Sequence, residues 1–274
     1  MIRVVSLVLG IVSATATFAQ AKKPSHCIAL AQNPGIEYLH LAGWQDPLDP
    51  YSVRLNYIDH ATFLIQSPGG VSAATDYTGF LGLIDLVPDV VTMNRAHESH
   101  WTAFPDPEIP HVLRGWGEDG RVADHALNVG DILVRNVPTD IRNALWDGVI
   151  EGGNSVFVFE VEGLCIGHLG HLHHALTDQQ YAALGRLDVV MAPVDGGMTL
   201  TTAELAEVLE RLKSSLVLPM HWFSRSNLEA FLEAMSQDFV IRRTLDSSVE
   251  VSLRSLPDRP TILVLSPAFL RGAQ

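Results

Sequence analysis

Cysteine is scarce in this chain. The 274 residues include two, Cys27 and Cys165, and neither belongs to a CxxC pair. This scarcity argues against a zinc site built from cysteines and against thioredoxin-type redox chemistry. The sequence leaves open whether the two cysteines bond to each other, because a disulfide also requires a suitable separation in the folded chain.

Positive charge is also in short supply. The chain has 18 lysines and arginines against 31 aspartates and glutamates, which gives a net charge of -13 at pH 7. An acidic chain is a poor match for nucleic acid and for an anionic membrane surface. We therefore expect neither as a partner, although a small anionic substrate at a local positive site is compatible with this balance.

Long hydrophobic runs are absent as well, since no apolar run approaches the length of about 20 residues that a membrane-spanning helix needs. Residues 1–21 combine one early arginine, Arg3, a short apolar run and a final Ala19-Gln20-Ala21. This is the pattern of a secretory signal peptide. It predicts a secreted or periplasmic protein that is not attached to a membrane once the segment is removed.

The rest of the chain, residues 22–274, is long enough for one domain with a substantial core. Hydrophobic residues make up 47% of the sequence, which argues against disorder. We expect a single domain that begins with an N-terminal extension over about residues 22–52. The sequence does not indicate an oligomeric state.

Hydrophobic patterning predicts mainly strands in the first half of the chain and alternating strands and helices in the second. A Ser-Pro-Gly-Gly turn at 67–70 separates two apolar runs and predicts a hairpin. The stretch 103–120, rich in proline, glycine and acidic residues, is interpreted as a loop. Further predicted strands are 86–91, 122–137 with a break at 130–131, a pair within 154–166, 188–194 and 216–220; predicted helices are 177–184, 202–213 and 228–235.

Histidine, in contrast, is abundant: the chain has twelve. Several follow predicted strands, at positions where a rigid scaffold commonly displays reactive side chains. Imidazole is the commonest metal ligand, and several imidazoles from different loops suit zinc or iron. The histidines at these strand ends are His97, His100, His168, His171, His173, His174 and His221.

Four segments resemble the metallo-β-lactamase superfamily, in particular its small metal-dependent hydrolases related to ascorbate-6-phosphate lactonases. The segments read IDHATFLIQSPGGVSAATD from residue 58, PDVVTMNRAHESH from 88, NSVFVFEVEGLCIGHLGHLHH from 154 and VLPMHW from 217. The resemblance spans about residues 53–221. It implies an α/β fold, a four-layer αββα sandwich, with a metal site at one edge of the sheets.

The resemblance also shows where the metal motif has degenerated. The H-x-H-x-D-H loop of the family falls on Arg95, His97, Ser99 and His100. Its first histidine and its aspartate are therefore replaced. The mid-chain histidine of the family falls near 140–141, where this chain has aspartate and isoleucine.

The remaining family positions carry histidine. The aspartate that bridges two metals in the family falls on His171, and the last histidine falls on His221. The two-metal centre of the family is therefore not intact, but the four remaining histidines, His97, His100, His171 and His221, predict one divalent metal, with zinc favoured over iron. A site that has drifted and binds no metal is the alternative.

Four further residues are candidates for catalysis. Arg95 has a permanent charge that either fills the space of a second metal or holds an anionic substrate. His174 matches a family histidine and is a candidate proton donor, or else it packs a loop. His60 and Asp76 match the family hairpin and are interpreted as a pair that orients the site, or as a purely structural pair.

These features predict an exported metal-dependent hydrolase that activates water for attack on a small-molecule substrate. A non-catalytic ligand-binding protein on the same fold is the alternative. A redox enzyme with a histidine-bound iron is a third interpretation. The superfamily name does not imply a β-lactam substrate, because function depends on the site and not on the fold.

Overall fold

The structure is a computed structural model that describes residues 25–29, 43–95, 97–118, 121–143, 145 and 148–272. The predicted signal peptide and much of the predicted extension lie outside the described residues. The strands are β1 Val53–Asp59, β2 Thr62–Gln66, β3 Ser72–Ala74, β4 Gly82–Leu83, β5 Val90–Met93, β6 His111–Arg114, β7 Ala126–Val129, β8 Ile132–Arg142, β9 Val149–Val161, β10 Leu164–His168, β11 Val189–Pro193, β12 Leu216–Met220, β13 Val240–Arg243, β14 Ser248–Val251, β15 Thr261–Val264 and β16 Leu270–Arg271; the helices are α1 His26–Ala29, α2 Asp178–Leu184, α3 Thr202–Leu212 and α4 Arg225–Met235.

Two large sheets lie face to face. One has six strands in the order β14-β1-β2-β3-β5-β6, and the other has eight in the order β13-β15-β12-β11-β10-β9-β8-β7. Between them lies a core that includes Leu55 and Phe63 from the first sheet and Phe157 and Phe159 from the second. Burial of each such side chain contributes about 1.5–3 kcal/mol, so this interior holds the sheets together.

The outer faces of the two sheets are covered differently. Along β9, Val156 and Val158 alternate with the inward phenylalanines and pack with the buried faces of α2, α3 and α4. The outer face of the six-stranded sheet packs against loop residues such as Tyr77 and Ile109. The predicted αββα sandwich is confirmed, with loops in the outer layer over the six-stranded sheet among the described residues.

Helices α2 and α3 begin where the sequence predicted. Thr177 and Thr201 are their N-caps, and each forms a reciprocal capping box with Gln180 or Glu204. Such a cap stabilises a helix by about 1 kcal/mol. In the part of the chain that the structure describes, the longest helices have eleven residues, and none is long and apolar enough to cross a membrane.

The strand predictions were right where the pattern was strong. The turn at 67–70 joins β2 and β3, and β7, β11 and β12 lie within their predicted runs. Strands β8, β9 and β10 overlap their predicted runs but extend beyond them, to Arg142, from Val149 and to His168 respectively. The predicted strand at 86–91 is wrong in its bounds, because Pro88 cannot donate to a ladder and β5 begins at Val90.

Three features were missed. The first apolar run contains two strands, β1 and β2, which meet at a sharp turn around His60. The predicted loop 103–120 contains the edge strand β6, which is short and half polar. After α4, where no strand was predicted, β14 completes the six-stranded sheet and β13 and β15 complete the eight-stranded sheet, while β16 pairs with β4 in a separate two-stranded sheet.

The question of the two cysteines is answered by a disulfide between Cys27 and Cys165, whose Cα atoms are 5.8 Å apart. It ties α1 to β10 across 138 residues of sequence. Next to it, the buried carboxylate of Glu160 accepts hydrogen bonds from Ser25 and from the guanidinium of Arg135. The described part of the N-terminal extension is thus fixed to the domain covalently and by polar contacts.

Candidate metal centre

Five histidines lie together in what is called here the histidine cluster. His60 is in the turn between β1 and β2, His97 and His100 follow β5, His171 follows β10 and His221 follows β12. The ring centroid of His171 is 4.8 Å from those of His97, His100 and His221. The structure therefore brings together all four histidines that the sequence predicted as ligands, and His60 joins them.

The backbone is held in an uncommon conformation at two of these histidines, His60 and His221, and at Asp76, which contacts the cluster. His60, Asp76 and His221 have positive φ angles of 47°, 39° and 59°. Residues with a Cβ rarely adopt this left-handed conformation, and its cost is of order 1–3 kcal/mol each. Strain of this kind, gathered around one set of side chains, is typical of functional sites.

His100 is oriented by a buried carboxylate. Its Nδ1 lies 2.5 Å from Oδ2 of Asp76, and both side chains are fully buried. The other oxygen of Asp76 accepts a hydrogen bond from the amide of Asn94 at 2.8 Å. Because a carboxylate is an acceptor, it holds the proton of His100 on Nδ1 and leaves a lone pair on Nε2.

His221 has an equivalent partner. Its Nδ1 donates to Oδ2 of Asp195 at 2.9 Å, and again both side chains are fully buried. Asp195 is fixed in turn by the backbone amides of Gly197, Met198 and Thr199 and by the hydroxyl of Thr199. His221 therefore also presents a lone pair on Nε2.

These two lone pairs face each other. The Nε2 atoms of His100 and His221 are 3.0 Å apart, and neither carries a proton in the tautomers that the carboxylates select. Two nitrogens bound to one tetrahedral zinc at 2.0–2.1 Å would be about 3.3 Å apart. The arrangement is repulsive without a cation between the nitrogens, and it fits one metal ion.

His97 and His60 complete the donor set. The Nδ1 of His97 is hydrogen-bonded to the hydroxyl of Ser99 at 2.7 Å, and the Nε2 atoms of His97 and His60 are buried without a hydrogen-bond partner. The candidate ligand atoms of His60, His97, His100 and His221 all lie within 4.8 Å of one another. Four buried imidazole nitrogens are a suitable set for one zinc.

His171 has a different environment. Its Nδ1 is hydrogen-bonded to Nε2 of His173, and Nδ1 of His173 accepts the backbone amide of Arg142 at 2.7 Å. The backbone amide of His171 donates to the side-chain oxygen of Asn154. The Nε2 of His171 is buried and has no hydrogen-bond partner.

Burial favours the neutral form of four imidazoles in the cluster. It lowers the pKa of His60 to about 3, with further lowering by the neighbouring His221, and it lowers the pKa of His97, His100 and His171 in the same way. Neutral imidazole is the form that binds a metal. Burial raises the pKa of Asp76 to about 6, so this carboxylate is ionised at neutral pH.

We expect the chelator-treated protein to lose stability as the pH falls from about 7 to about 4.5. The unfolded chain takes up protons on histidine below its ordinary pKa of about 6.5, whereas the folded chain does not, so the free energy of unfolding decreases with falling pH. Burial also raises the pKa of Asp76 and of Asp188, which acts in the opposite direction, but these are two groups against six. The lowered pKa values belong to His60, His97, His100, His168, His171 and His173.

Urea unfolding at pH 7, 6 and 5 measures this loss. The matched control is a His60→Asn/His97→Asn variant, since asparagine tolerates the positive φ at position 60. Its stability should depend less steeply on pH because two of the shifted groups are gone. An equal slope in both proteins would contradict the assignment.

Two predicted catalytic residues lie at the margin of the cluster. The side chain of Arg95 is exposed, so the prediction that it fills the space of a second metal is wrong; binding of an anion is still a prediction for it. His174 is half-buried, with an unpartnered buried Nε2, and its ring lies 6.4 Å from that of His173. Its predicted role as a proton donor stays a prediction.

The predicted pairing of His60 with Asp76 is wrong. The two oxygens of Asp76 are occupied by His100 and Asn94, and the ring of His60 lies 4.0 Å from that of His221. Adjacent strands placed the residues near each other, but the turn at His60 directs its imidazole into the cluster. His60 is thus a candidate ligand, and Asp76 orients His100.

Sequence reasoning missed two residues that orient the cluster, Asp195 and His173. Asp195 directly follows the predicted strand 188–194, in the same strand-end position as the histidines, and that position was the available signal. For His173 no sequence signal existed, because its hydrogen bond to His171 depends on the path of the loop.

Comparisons with known proteins find relatives that are described as metal-dependent hydrolases. A family model described as the β-lactamase superfamily domain matches residues 54–221. The chain is 26% identical over 223 residues to a UPF0173 metal-dependent hydrolase of Methanoculleus marisnigri, which covers 73% of this chain and 97% of that protein. A UPF0173 metal-dependent hydrolase of Thermococcus kodakarensis is 23% identical over 192 residues, with 62% and 84% covered.

Two solved structures share the fold of this chain. A crystal structure described as a Zn-dependent hydrolase of the metallo-β-lactamase superfamily, from Thermotoga maritima, is 25% identical, with a TM-score of 0.56 and 78% and 98% of the two chains covered. A protein of Parabacteroides distasonis described as a metal-dependent hydrolase is 13% identical, with a TM-score of 0.54 and 83% and 100% covered; it shows the fold alone.

Proposed function

Since the chain belongs to the metallo-β-lactamase superfamily, we propose that it is an exported hydrolase that uses one histidine-bound metal ion to activate water. The coarser assignment, a metal-dependent hydrolase, agrees with the names of its relatives. The observation that supports a single metal is the facing pair of Nε2 lone pairs on His100 and His221. The family positions for further ligands carry Arg95, whose side chain is exposed, and non-histidine residues near 140–141.

His60, His97, His100 and His221 are the residues proposed to hold the metal. The sequence-based set had His171 in place of His60. Zinc is the proposed metal, because neutral imidazole nitrogen is one of its preferred ligands. A hydrolytic zinc also needs a position for water, so water would bind as a fifth ligand or in place of one of the four imidazoles. A bound zinc lowers the pKa of coordinated water to about 7 and supplies a nucleophile at neutral pH.

The protein around the metal determines which substrates approach it. The ring of Phe223 is exposed and lies 5.4 Å from His60 and 5.1 Å from His221, at the edge of the cluster. An exposed aromatic ring there favours a small organic substrate with an apolar part. The proposed reaction is hydrolysis of an ester, lactone, amide or phosphodiester bond.

Export is proposed on the signal-peptide pattern of residues 1–21. The disulfide between Cys27 and Cys165 supports it, because such bonds persist in oxidising compartments and are rare in the cytosol. A secreted or periplasmic location is therefore part of the proposal.

Elemental analysis of the purified mature protein tests the metal site. We expect about one zinc per chain in the unaltered protein and none in a His100→Asn/His221→Asn variant. The asparagine amide replaces Nδ1 and can still donate to Asp76 or Asp195, whereas the Nε2 ligands are removed. A His111→Asn variant, altered in β6 and outside the cluster, is the control and should retain its metal.

The same proteins are then tested with chromogenic esters, lactones and phosphodiesters. Hydrolysis that disappears in the double variant and on chelation supports the proposed function. Absence of metal after zinc and iron have been offered would instead favour the non-catalytic binding protein. Two metals per chain would overturn the single-metal proposal.

A further inference from the structure

The hydrogen bonds that lead to His171 run in one direction, and this direction determines where its proton lies. The backbone amide of Arg142 donates to Nδ1 of His173. A backbone amide is always a donor, so Nδ1 of His173 carries a lone pair and the proton of that ring is on Nε2. This Nε2 is hydrogen-bonded to Nδ1 of His171.

The same reasoning applies to the next ring. Because Nε2–H of His173 donates to it, Nδ1 of His171 is an acceptor and the proton of His171 is on Nε2. Neither ring can be doubly protonated in this arrangement, since each Nδ1 must accept. The Nε2–H of His171 is buried, has no hydrogen-bond partner and belongs to a ring whose centroid is 4.8 Å from three others in the cluster.

We propose that His171 is a hydrogen-bond donor to the substrate and not a metal ligand. Its Nε2–H would bind the oxygen of a carbonyl or phosphoryl group that gains negative charge as water attacks. This proposal rests on the proposed hydrolase function and deepens it, because it assigns the residue that stabilises the anion. It also identifies the substrate class as one with such an oxygen on the attacked atom.

If His171 coordinated a metal through Nε2, both hydrogen bonds that lead to it would have to change direction. Nδ1 of His171 would carry a proton, Nε2 of His173 would accept it, and Nδ1–H of His173 would then face the amide N–H of Arg142. Two donors facing each other in a partly buried loop are unfavourable. His100 and His221 have no such obstacle, because their partners are carboxylates.

The position of His171 in the family motif also favours a donor over a metal ligand. His171 occupies the position that the resemblance assigns to a bridging aspartate, which is a negatively charged ligand. A neutral N–H donor at that position cannot bridge two cations, but it can stabilise an anion beside one cation. Removal of one such donor typically lowers kcat by about 100- to 1,000-fold.

Nitrogen NMR of protein with ¹⁵N-labelled histidine tests the proposal directly. In the zinc-loaded protein, we expect His171 and His173 to be protonated on Nε2, and His100 and His221 to be protonated on Nδ1. A His173→Phe variant removes the donor to His171 and should release its tautomer. A proton on Nδ1 of His171 in the zinc-loaded protein would overturn the proposal.

Two substitutions at position 171 separate a donor from a ligand. Glutamine places an amide N–H near the position of Nε2, whereas asparagine reaches only the position of Nδ1. Both variants should bind zinc within about threefold of the unaltered protein. With 4-nitrophenyl acetate, kcat should fall about 100- to 1,000-fold in His171→Asn with little change in KM, and His171→Gln should recover part of it.

The outcomes separate this inference from the proposed function. Loss of zinc binding by tenfold or more in both variants would make His171 a ligand and overturn the inference alone. Failure of the unaltered protein to bind any metal would overturn the proposed function. In that case, the NMR spectrum of the metal-free protein still reports the proton on His171.

Discussion

Replacement of Asp195 by asparagine is expected to weaken metal binding at the histidine cluster by about 100-fold while the fold survives. The side-chain oxygen Oδ1 of Asp195 accepts three backbone amides, and an asparagine oxygen can accept the same three. Its other oxygen, Oδ2, accepts from Nδ1 of His221. In Asp195→Asn, this oxygen becomes an N–H₂ group, which is a donor.

The consequence falls on His221. Its Nδ1 would face a donor and must become an acceptor, which transfers the ring proton to Nε2. A protonated Nε2 cannot bind a metal, so the ligand is lost although the ring is unchanged. Zinc affinity measured by competition with a chromophoric chelator tests this expectation.

Asp195→Ala is the matched comparison, because it removes the acceptor altogether. It leaves the amides of Gly197, Met198 and Thr199 and the ring of His221 without their partner, and Thr199 and His221 are fully buried. We expect it to lower the free energy of unfolding by about 3–5 kcal/mol, against about 1 kcal/mol for Asp195→Asn. Equal stability of the two variants in urea unfolding would contradict this account of Asp195.

The sequence predicted those parts of the fold and site that depend on local pattern. Strands β11 and β12 are continuous apolar runs, and α3 has apolar residues at helical spacing after the capping residue Thr201, so their positions were predictable. His97, His100 and His221 were predictable for a similar reason, because each closely follows a strand.

Features that depend on long-range contacts were not predictable in the same way. Strand β14 pairs with β1 across almost 200 residues of sequence and carries only four residues of its own. The sequence predicted that His60 pairs with Asp76 because their strands are neighbours. Asp76 instead binds Asn94 and His100, and these contacts depend on how the loop after β5 folds back. The direction of the hydrogen bonds from Arg142 through His173 to His171 can be deduced only from atomic positions.

Asp76→Asn is expected to weaken zinc binding by about 10- to 100-fold, because His100 loses a carboxylate acceptor for its Nδ1 proton. Asp76 accepts from Asn94 on one oxygen and from His100 on the other. Asn94 cannot reverse its amide to help, because its own oxygen already accepts the backbone amide of Ser155 at 2.8 Å. In Asp76→Asn, two donors therefore compete for one oxygen in a fully buried site.

The exchanged variant Asp76→Asn/Asn94→Asp should recover most of the loss. The carboxylate at position 94 would accept from Ser155 and from the new amide at position 76, whose oxygen would then be free to accept from His100. The net charge is unchanged, and asparagine tolerates the φ of 39° at position 76. Zinc affinity in the exchanged variant that is no higher than in Asp76→Asn would mean that the charge at position 76 itself, and not the direction of the hydrogen bonds, keeps Nε2 of His100 available to the metal.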